Sequence, residues 1–306
     1  MDYQAILDQV VADVSAYRGQ GTVASYIPSL ARADPHKFGI AVALEDGAAF
    51  VAGDADETFS IQSLSYVFTL NLALQQLKSA LWNHVGREPS GAPVSSIVQL
   101  EIERGRPRNP MTSPGAIVVC DQLIGRRPAA EAADELIGFL RERAGDQGIG
   151  IDEGLAMSES QAGAFNRSLA HFIAAFGNLR NPVEDVLGLY YRHCSIAMSC
   201  RQLARAALYL AFDGTDPVSG DAVTTQSRSR RINALMLTCG HYDNSGDFAF
   251  RVGLPGKSSV AGAILAVAPG RGSVCVWSPG LNAAGTSLVG AIALERLVEA
   301  TGWSVF

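Results

Sequence analysis

Two hydroxyl-bearing residues stand one helical turn apart in the segment FSIQSLSYVFTL, residues 59–70. Ser63 is the residue type that attacks a carbonyl carbon and forms a covalent acyl intermediate. Tyr66 occupies the position where serine enzymes of the S-x-x-K type carry the lysine that takes the serine's proton. The segment therefore predicts acyl transfer with a phenol in place of the usual base. The alternative is that Ser63 has only a structural role, as the N-cap of a helix.

The elements around Ser63 are predicted to hold it between a strand and a helix. FGIAVAL and AAFVAGDA flank Asp46 and Gly47, and Asp-Gly suits the tight turn of a β-hairpin. Residues 4–17 have the apolar spacing of a first helix, and a second helical pattern begins at Ser63. The N-terminus of a helix offers unpaired N–H groups that can stabilise an oxyanion.

The rest of the chain predicts a helical middle and a return to strands. Apolar residues three and four apart predict helices in AEAADELIGFLRERA, QAGAFNRSLAHFIAAFGNL, PVEDVLGLYYRHCSIAM and CRQLARAALYLAF. After residue 245, GDFAFRVGL, VAGAILAVAP and GSVCVWSP predict strands, and SLVGAIALERLVEAT predicts a last helix. We therefore predict an α/β subdomain of residues 1–64 and 216–306, with residues 65–215 inserted as a helical subdomain.

Charge and hydropathy narrow the class of partner. The formal net charge is -6 for 306 residues, which argues against nucleic acid or an anionic membrane as the main partner. No stretch reaches the roughly 18 uninterrupted apolar residues of a spanning helix, and the segment MDYQAILDQVVADV is amphipathic rather than a secretion signal. We expect a soluble, cytoplasmic protein that acts on a small molecule.

The cysteines and histidines do not predict a metal site. The five cysteines are scattered and form no C-x-x-C pair, so neither a disulfide framework nor a zinc site is indicated. The five histidines show no H-x-x-x-H pairing. We expect neither a metal nor another cofactor, and a reducing compartment.

Eight motifs in one order along the chain carry a resemblance to a known family. They are VASYIPSLA (23–31), GDADETFSIQSLS (53–65), RNPM (108–111), GAIV (115–118), FNRSLA (165–170), LYYRHCS (189–195), MLTCGHYDNSGDFAFRVGLPGKS (236–258) and WSPGLN (277–282). Over nearly its whole length the chain resembles the serine-dependent glutaminases, which share the β-lactamase and penicillin-binding-protein architecture. The resemblance implies an α+β fold whose antiparallel sheet comes from both ends of the chain and is flanked by helices.

The resemblance also implies the roles of individual residues. Ser63 is the implied nucleophile, with oxyanion N–H groups from Ser63 and Val260. The residues implied to hold glutamine are Tyr26, Gln62, Glu159, Asn166, Tyr190 and Tyr242. A free amino acid brings an ammonium, a carboxylate and an amide, and an acid such as Glu159, an amide such as Asn166 and several phenols suit those groups.

Four residues depart from the family pattern. Tyr66 replaces the lysine, Ser113 an asparagine that contacts substrate, His193 a glutamine and Ser259 a glycine. We expect all four changes in one pocket. Tyr66 or Tyr190 would have to act as the base, with Lys257 as the cation that lowers the pKa of the phenol.

Two functions compete on these residues. The first is a glutaminase-like amidohydrolase, which converts L-glutamine or a related amino acid amide to L-glutamate and ammonia through an acyl-enzyme. The alternative is a repurposed or weakened homologue that binds a glutamine-like ligand or uses another acyl donor, because Tyr66 stands where a lysine is expected. A β-lactam-hydrolysing role matches less well, since the S-D-N and K-T-G elements of that group are poorly matched. The resemblance further implies a homodimer or homotetramer.

Overall fold

A computed structural model describes residues 1–91 and 96–306. The helices are α1 (Tyr3–Val14), α2 (Ser65–Leu77), α3 (Ile97–Ile102), α4 (Ser113–Ile124), α5 (Ala129–Ala144), α6 (Glu153–Ala162), α7 (Ala164–Ala175), α8 (Val183–Cys194), α9 (Cys200–Ala207), α10 (Gln226–Cys239), α11 (Ser245–Arg251) and α12 (Leu288–Thr301). The strands are β1 (Gly39–Leu44), β2 (Ala49–Gly53), β3 (Phe59–Ser60), β4 (Gly150–Ile151), β5 (Ile196–Met198), β6 (Gly256–Ser258), β7 (Ala263–Ala268) and β8 (Gly272–Trp277).

The main sheet joins strands from both ends of the chain. Its order is β2-β1-β8-β7-β6, and every neighbouring pair is antiparallel. Strand β1 pairs along its length with β8, from Gly39 opposite Trp277 to Leu44 opposite Gly272. The predicted hairpin is confirmed: Gly47 supplies a φ of 84° in the turn between β1 and β2. The predicted mixed fold with an antiparallel sheet is confirmed as well.

The two faces of this sheet pack against different layers. Ile40 and Val42 of β1 face α1 and α12, whereas Ala41 and Ala43 belong to the larger core shared with the central helices. This alternation follows from the period of two in a strand. Both faces are therefore covered, and β1, β7 and β8 are buried along nearly their whole length.

A second, smaller sheet positions the nucleophile segment. Strand β3 pairs with β5, which also pairs with β4. The Ile61 N–H continues the pairing by donating to the carbonyl of Ile196. A single 3₁₀ turn, Gln62–Leu64, then leads into α2. Helix α2 is buried on all sides from Ser65 to Leu74, so the chain beyond Ser63 is fixed by packing on every face.

One predicted strand is wrong. GDFAFRVGL, residues 246–254, forms helix α11 up to Arg251, and the strand of this region is the shorter β6. Phe248 and Val252, four positions apart, are buried, while Phe250 between them is 90% exposed. Residues four positions apart lie on the same face of a helix and the residue midway between them lies on the opposite face, so this pattern of burial is helical. Asp247 in its first turn and Arg251 in its last suit the helix dipole, and Arg251 also pairs with Glu295 of α12.

Three of the predicted helical segments are shorter than expected or divided. The segment of residues 161–179 begins at the end of α6 and continues as α7, with Gly163 between the two helices. The segment of residues 182–198 ends its helix at Cys194 and turns into β5. The predicted first helix, α5 and the last helix are confirmed, although residues 15–17 form a 3₁₀ turn. The predicted helix of residues 200–212 is shorter than expected: α9 ends at Ala207 and a 3₁₀ turn follows over Leu208–Leu210. The predicted boundaries of two subdomains stay a prediction.

Across residues 1–91 and 96–306 the chain has no helix with the length and apolar character needed to cross a bilayer. All five cysteines are buried free thiols. Within the same residues, no group of three or more His, Cys, Asp or Glu side chains is arranged to hold a metal ion.

A buried carboxylate ties the loop before α8 to helix α4. Asp121 is fully buried and accepts hydrogen bonds from the backbone N–H groups of Arg180 and Asn181, and from the side chains of Asn181 and Gln122. We expect Asp121→Ala to lower the free energy of unfolding by about 3 kcal/mol, because several buried donors lose their acceptor. Urea denaturation measures this effect. Asp134→Ala, at an exposed position of α5, is the control and should change stability by less than about 0.5 kcal/mol. An equal effect of both variants would contradict this role for Asp121.

Candidate active site

A single cavity of about 520 Å³ collects the predicted site residues. This volume lies in the range of small-molecule binding sites. Every predicted substrate-binding residue lines it, and so do three of the four predicted catalytic residues. These are Tyr26, Gln62, Ser63, Tyr66, Ser113, Glu159, Asn166, Tyr190, Tyr242 and Val260. The structure thus brings together residues that are up to 234 positions apart, from Tyr26 to Val260, and Lys257 lies behind the cavity wall.

Ser63 lies at the inner end of this cavity, 4% exposed. Its Oγ donates a hydrogen bond to the carbonyl of Ser258, 3.0 Å away. A hydroxyl has one proton and a carbonyl can only accept, so the 3.1 Å contact with Tyr242 is one in which the phenol donates to Ser63 Oγ. Gln62 and Tyr242 both have a left-handed backbone, with φ of 50° and 58°. Such strained positions are concentrated at functional sites.

Lys257 lies in β6 and is fully buried. Its Nζ donates to the carbonyls of Ser258, at 2.6 Å, and Gly240, at 3.2 Å. The same Nζ lies 4.2 Å from the ring centre of Tyr242 and 5.7 Å from that of Tyr66. Burial disfavours the ammonium form and lowers the pKa of Lys257 to about 7. A substantial fraction of this side chain is therefore a neutral amine at neutral pH.

The phenols do not have the lowered pKa that the sequence analysis predicted. The hydroxyls of Tyr66 and Tyr190 are hydrogen-bonded to each other at 2.6 Å. Burial raises the pKa of both phenols well above the usual value, and it raises the pKa of Tyr242 to about 12. Lys257 does not counter this shift, because the burial that disfavours the phenolates also disfavours its own positive charge. The prediction that Lys257 lowers the pKa of a phenol is wrong.

Glu159 supplies a carboxylate at the cavity wall. It lies in α6, is 5% exposed, and accepts a hydrogen bond from Gln62 Nε2 at 2.5 Å. Burial raises its pKa to about 7, while the hydrogen bond from Gln62 opposes the shift. An ammonium group in the cavity would favour the ionised form and pair with it.

The outer part of the cavity is more exposed. Tyr26 is 65% exposed and Phe165 50% exposed. Asn166 and Val260 are half-buried. Donors and aromatic faces thus surround the entrance, while the nucleophile and the carboxylate lie inside. The arrangement can hold a polar molecule with its reacting group away from water.

Only two of the four departures from the family pattern line this cavity. Tyr66 and Ser113 do, whereas His193 and Ser259 are not among the lining residues. His193 lies behind the wall, with Nδ1 3.1 Å from the Thr69 hydroxyl, and burial lowers its pKa to about 3. The Ser259 hydroxyl accepts from the N–H of Ala261 within a turn. The prediction of four changes in one pocket is wrong for these two, because both side chains are buried behind the cavity wall.

The backbone and apolar parts of the site were not predicted from the sequence. The carbonyl of Ser258 accepts hydrogen bonds from both Ser63 and Lys257. The position of a backbone carbonyl cannot be inferred from a pattern of side chains. Ala284 and Gly285 complete the wall. The sequence could indicate these two residues only by their position just after the WSPGLN motif, in a short Asn-Ala-Ala-Gly turn.

The chain is similar in sequence to known glutaminases over nearly its whole length. The family model described as glutaminase matches residues 21–306. The glutaminase of Rhizobium rhizogenes is 56% identical over 305 residues, which cover 100% of this chain and 99% of the relative. The thermolabile glutaminase of Rhizobium etli is 55% identical over 305 residues, with 100% and 99% coverage.

Solved structures show the same fold. A probable glutaminase from Bacillus subtilis complexed with 6-diazo-5-oxo-L-norleucine superposes with a TM-score of 0.90 at 28% identity, covering 100% of this chain and 98% of the other. The protein Mglu, solved in its tris and glutamate form, gives a TM-score of 0.92 at 35% identity. That match covers 100% of this chain and 67% of Mglu.

Proposed function

Because the chain belongs to the glutaminase family, we propose that it hydrolyses the side-chain amide of L-glutamine through an acyl-enzyme on Ser63. The products are L-glutamate and ammonia. One observation carries the proposal: a buried serine and a buried carboxylate, Glu159, line the same cavity. A small amino acid can therefore pair its ammonium with Glu159 and present its amide to Ser63.

The surrounding groups suit the remaining parts of glutamine. Asn166, Tyr26 and Tyr190 offer hydrogen bonds to the carboxylate and the amide. Ser63 stands in the first turn that leads into α2, where backbone N–H groups have no partner within the helix. In this proposal the N–H groups of Ser63 and Val260 stabilise the oxyanion that forms when Ser63 attacks.

The weaker alternative is supported by one specific feature. Tyr66 stands where S-x-x-K enzymes have their lysine, and its hydroxyl is paired with Tyr190. If no other group replaced that base, turnover would fall by roughly 10² to 10⁴. The chain would then be a binding protein or a slow hydrolase.

A cytoplasmic location and a homodimer or homotetramer are part of the same proposal. Five buried free thiols support a reducing compartment, where disulfides are rare. The oligomeric prediction rests on the resemblance described above.

Incubation with L-glutamine is the direct test. We expect equal amounts of ammonia and L-glutamate at a rate far above that of a no-enzyme control. Incubation with 6-diazo-5-oxo-L-norleucine, a reactive glutamine analogue, should leave a covalent adduct on the peptide that contains Ser63, detected by mass spectrometry. Glutamate binding without ammonia release, and without an adduct, would favour the alternative of a binding protein.

A further inference from the structure

We propose that the amine of Lys257, rather than Tyr66 or Tyr190, is the general base that takes the proton of Ser63. This inference rests on the proposed function, because it assigns a role within that reaction. It explains how a chain without the S-x-x-K lysine can still activate its serine.

Lys257 and the nucleophile Ser63 share one hydrogen-bond acceptor, the carbonyl oxygen of Ser258. Ser63 Oγ and Lys257 Nζ both donate to the carbonyl of Ser258, at 3.0 and 2.6 Å. The two atoms therefore lie no more than about 5.6 Å apart, the sum of these two distances. Catalytic hydrogen bonds are often long without substrate and tighten in the substrate complex. In the proposed step the Ser63 hydroxyl turns from the Ser258 carbonyl toward the Lys257 amine, which donates to the same oxygen.

The surroundings of Lys257 favour the neutral amine. A neutral amine has two N–H donors, and the carbonyls of Ser258 and Gly240 take both, which leaves the nitrogen lone pair to accept a proton. The titratable groups around it are Tyr66, Tyr242, Cys194 and His241. All four are buried groups whose uncharged forms are favoured, so none of these four side chains is an anion that holds the proton on Lys257.

The phenols are less suited to this task. Tyr66 directs its hydroxyl to Tyr190 rather than to Ser63. Tyr242 does contact Ser63, but it donates its proton to Oγ, and its pKa of about 12 keeps that proton in place near neutral pH. Tyr242 therefore orients the serine oxygen, and a protonated phenol cannot accept a proton before losing its own.

The proton is returned in each half of the reaction. Ser63 Oγ bonds to the amide carbon while its proton moves to Lys257 Nζ, and the carbonyl electron pair moves to the oxygen. When the oxyanion collapses, the carbon–nitrogen bond breaks and Lys257 gives the proton to the leaving nitrogen, which departs as ammonia. Water then attacks the ester and gives a proton to Lys257, which returns it to Ser63 Oγ as glutamate is released.

The test compares Lys257→Met with Tyr66→Phe. Lys257→Met keeps a long apolar side chain but removes the amine, and we expect kcat for ammonia release to fall by roughly 10² to 10⁴. Tyr66→Phe keeps the ring and removes the hydroxyl, and we expect a loss of at most about tenfold, the effect of one hydrogen bond. Calorimetric binding of glutamate should persist in both variants, which separates a chemical defect from a folding defect.

The pH profile of kcat provides a second measurement on the wild type. At saturating glutamine, Glu159 is paired with the substrate ammonium, so the profile reports the base. We expect kcat to rise with pH through about 7, as Lys257 loses its proton, and we expect this limb to disappear in Lys257→Arg, since arginine stays protonated. If Lys257→Met does not fold, the wild-type profile and Tyr66→Phe decide the question.

Three outcomes would overturn the assignment. The first is a kcat of Lys257→Met close to that of the wild type, and the second is a wild-type kcat that does not change near pH 7. The third is a loss of kcat of more than about 10²-fold in Tyr66→Phe, which would indicate that the phenol is the base. Failure of the proposed function looks different: the wild-type protein would release no ammonia, or Ser63→Ala would release it normally.

Discussion

Ser63→Ala is expected to lower kcat for ammonia release from L-glutamine by about 10⁶-fold, the scale on which removal of a serine nucleophile acts in acyl transfer. Alanine leaves no atom to form the acyl-enzyme, and the hydrogen bonds to Ser258 and Tyr242 are lost with the hydroxyl. Coupled-enzyme detection of ammonia measures the rate. Glutamate binding should remain close to the wild-type value, because Glu159 and Gln62 keep their hydrogen bond.

Ser65→Ala is the matched control for this experiment. Ser65 is a second buried serine of the same segment, but its hydroxyl donates to the carbonyl of Gln62 and does not line the cavity. We expect its kcat to stay within about tenfold of the wild type, the effect of one hydrogen bond. If Ser63→Ala releases ammonia as fast as Ser65→Ala, Ser63 is not the nucleophile.

Glu159→Gln should weaken binding of L-glutamate by about 100-fold. The change removes the negative charge that pairs with the substrate ammonium, and charge-assisted hydrogen bonds are worth about 1.5–3 kcal/mol. Isothermal titration calorimetry at pH 8 gives the dissociation constant. In the wild type this constant should fall as pH rises through about 7, because the carboxyl of Glu159 is protonated below that pH and cannot pair with the ammonium.

Glu153→Gln, on the same helix, is the control for charge. Glu153 is 65% exposed and pairs with Arg192 on the surface, so its loss should change binding by less than about twofold, in line with the small worth of surface ion pairs. An unchanged dissociation constant in Glu159→Gln, or a pH profile of binding that is flat between pH 6 and 8, would show that Glu159 does not hold the ammonium.

The local sequence was sufficient to predict several helices and strands. The Asp-Gly turn between alternating segments identified the β1–β2 hairpin, because few residues other than glycine accept its positive φ. Helical spacing identified α5 and α12. It failed at α11, where the alternating phenylalanines of GDFAFR resemble a strand. Only packing against the body of the protein shows that Phe248 is buried and Phe250 exposed.

The sequence by itself identified the polar side chains that line the cavity, from the ordered motifs and from the family positions between them, but not wall residues such as Ala284 and Gly285. It did not determine their protonation. The raised pKa values of the phenols and the lowered pKa of Lys257 come from burial by segments far apart in the chain. The sharing of the Ser258 carbonyl by Ser63 and Lys257 is likewise a product of β6 packing beside the turn that carries Ser63. Residue types are local properties, whereas desolvation and shared acceptors exist only once distant segments are packed together.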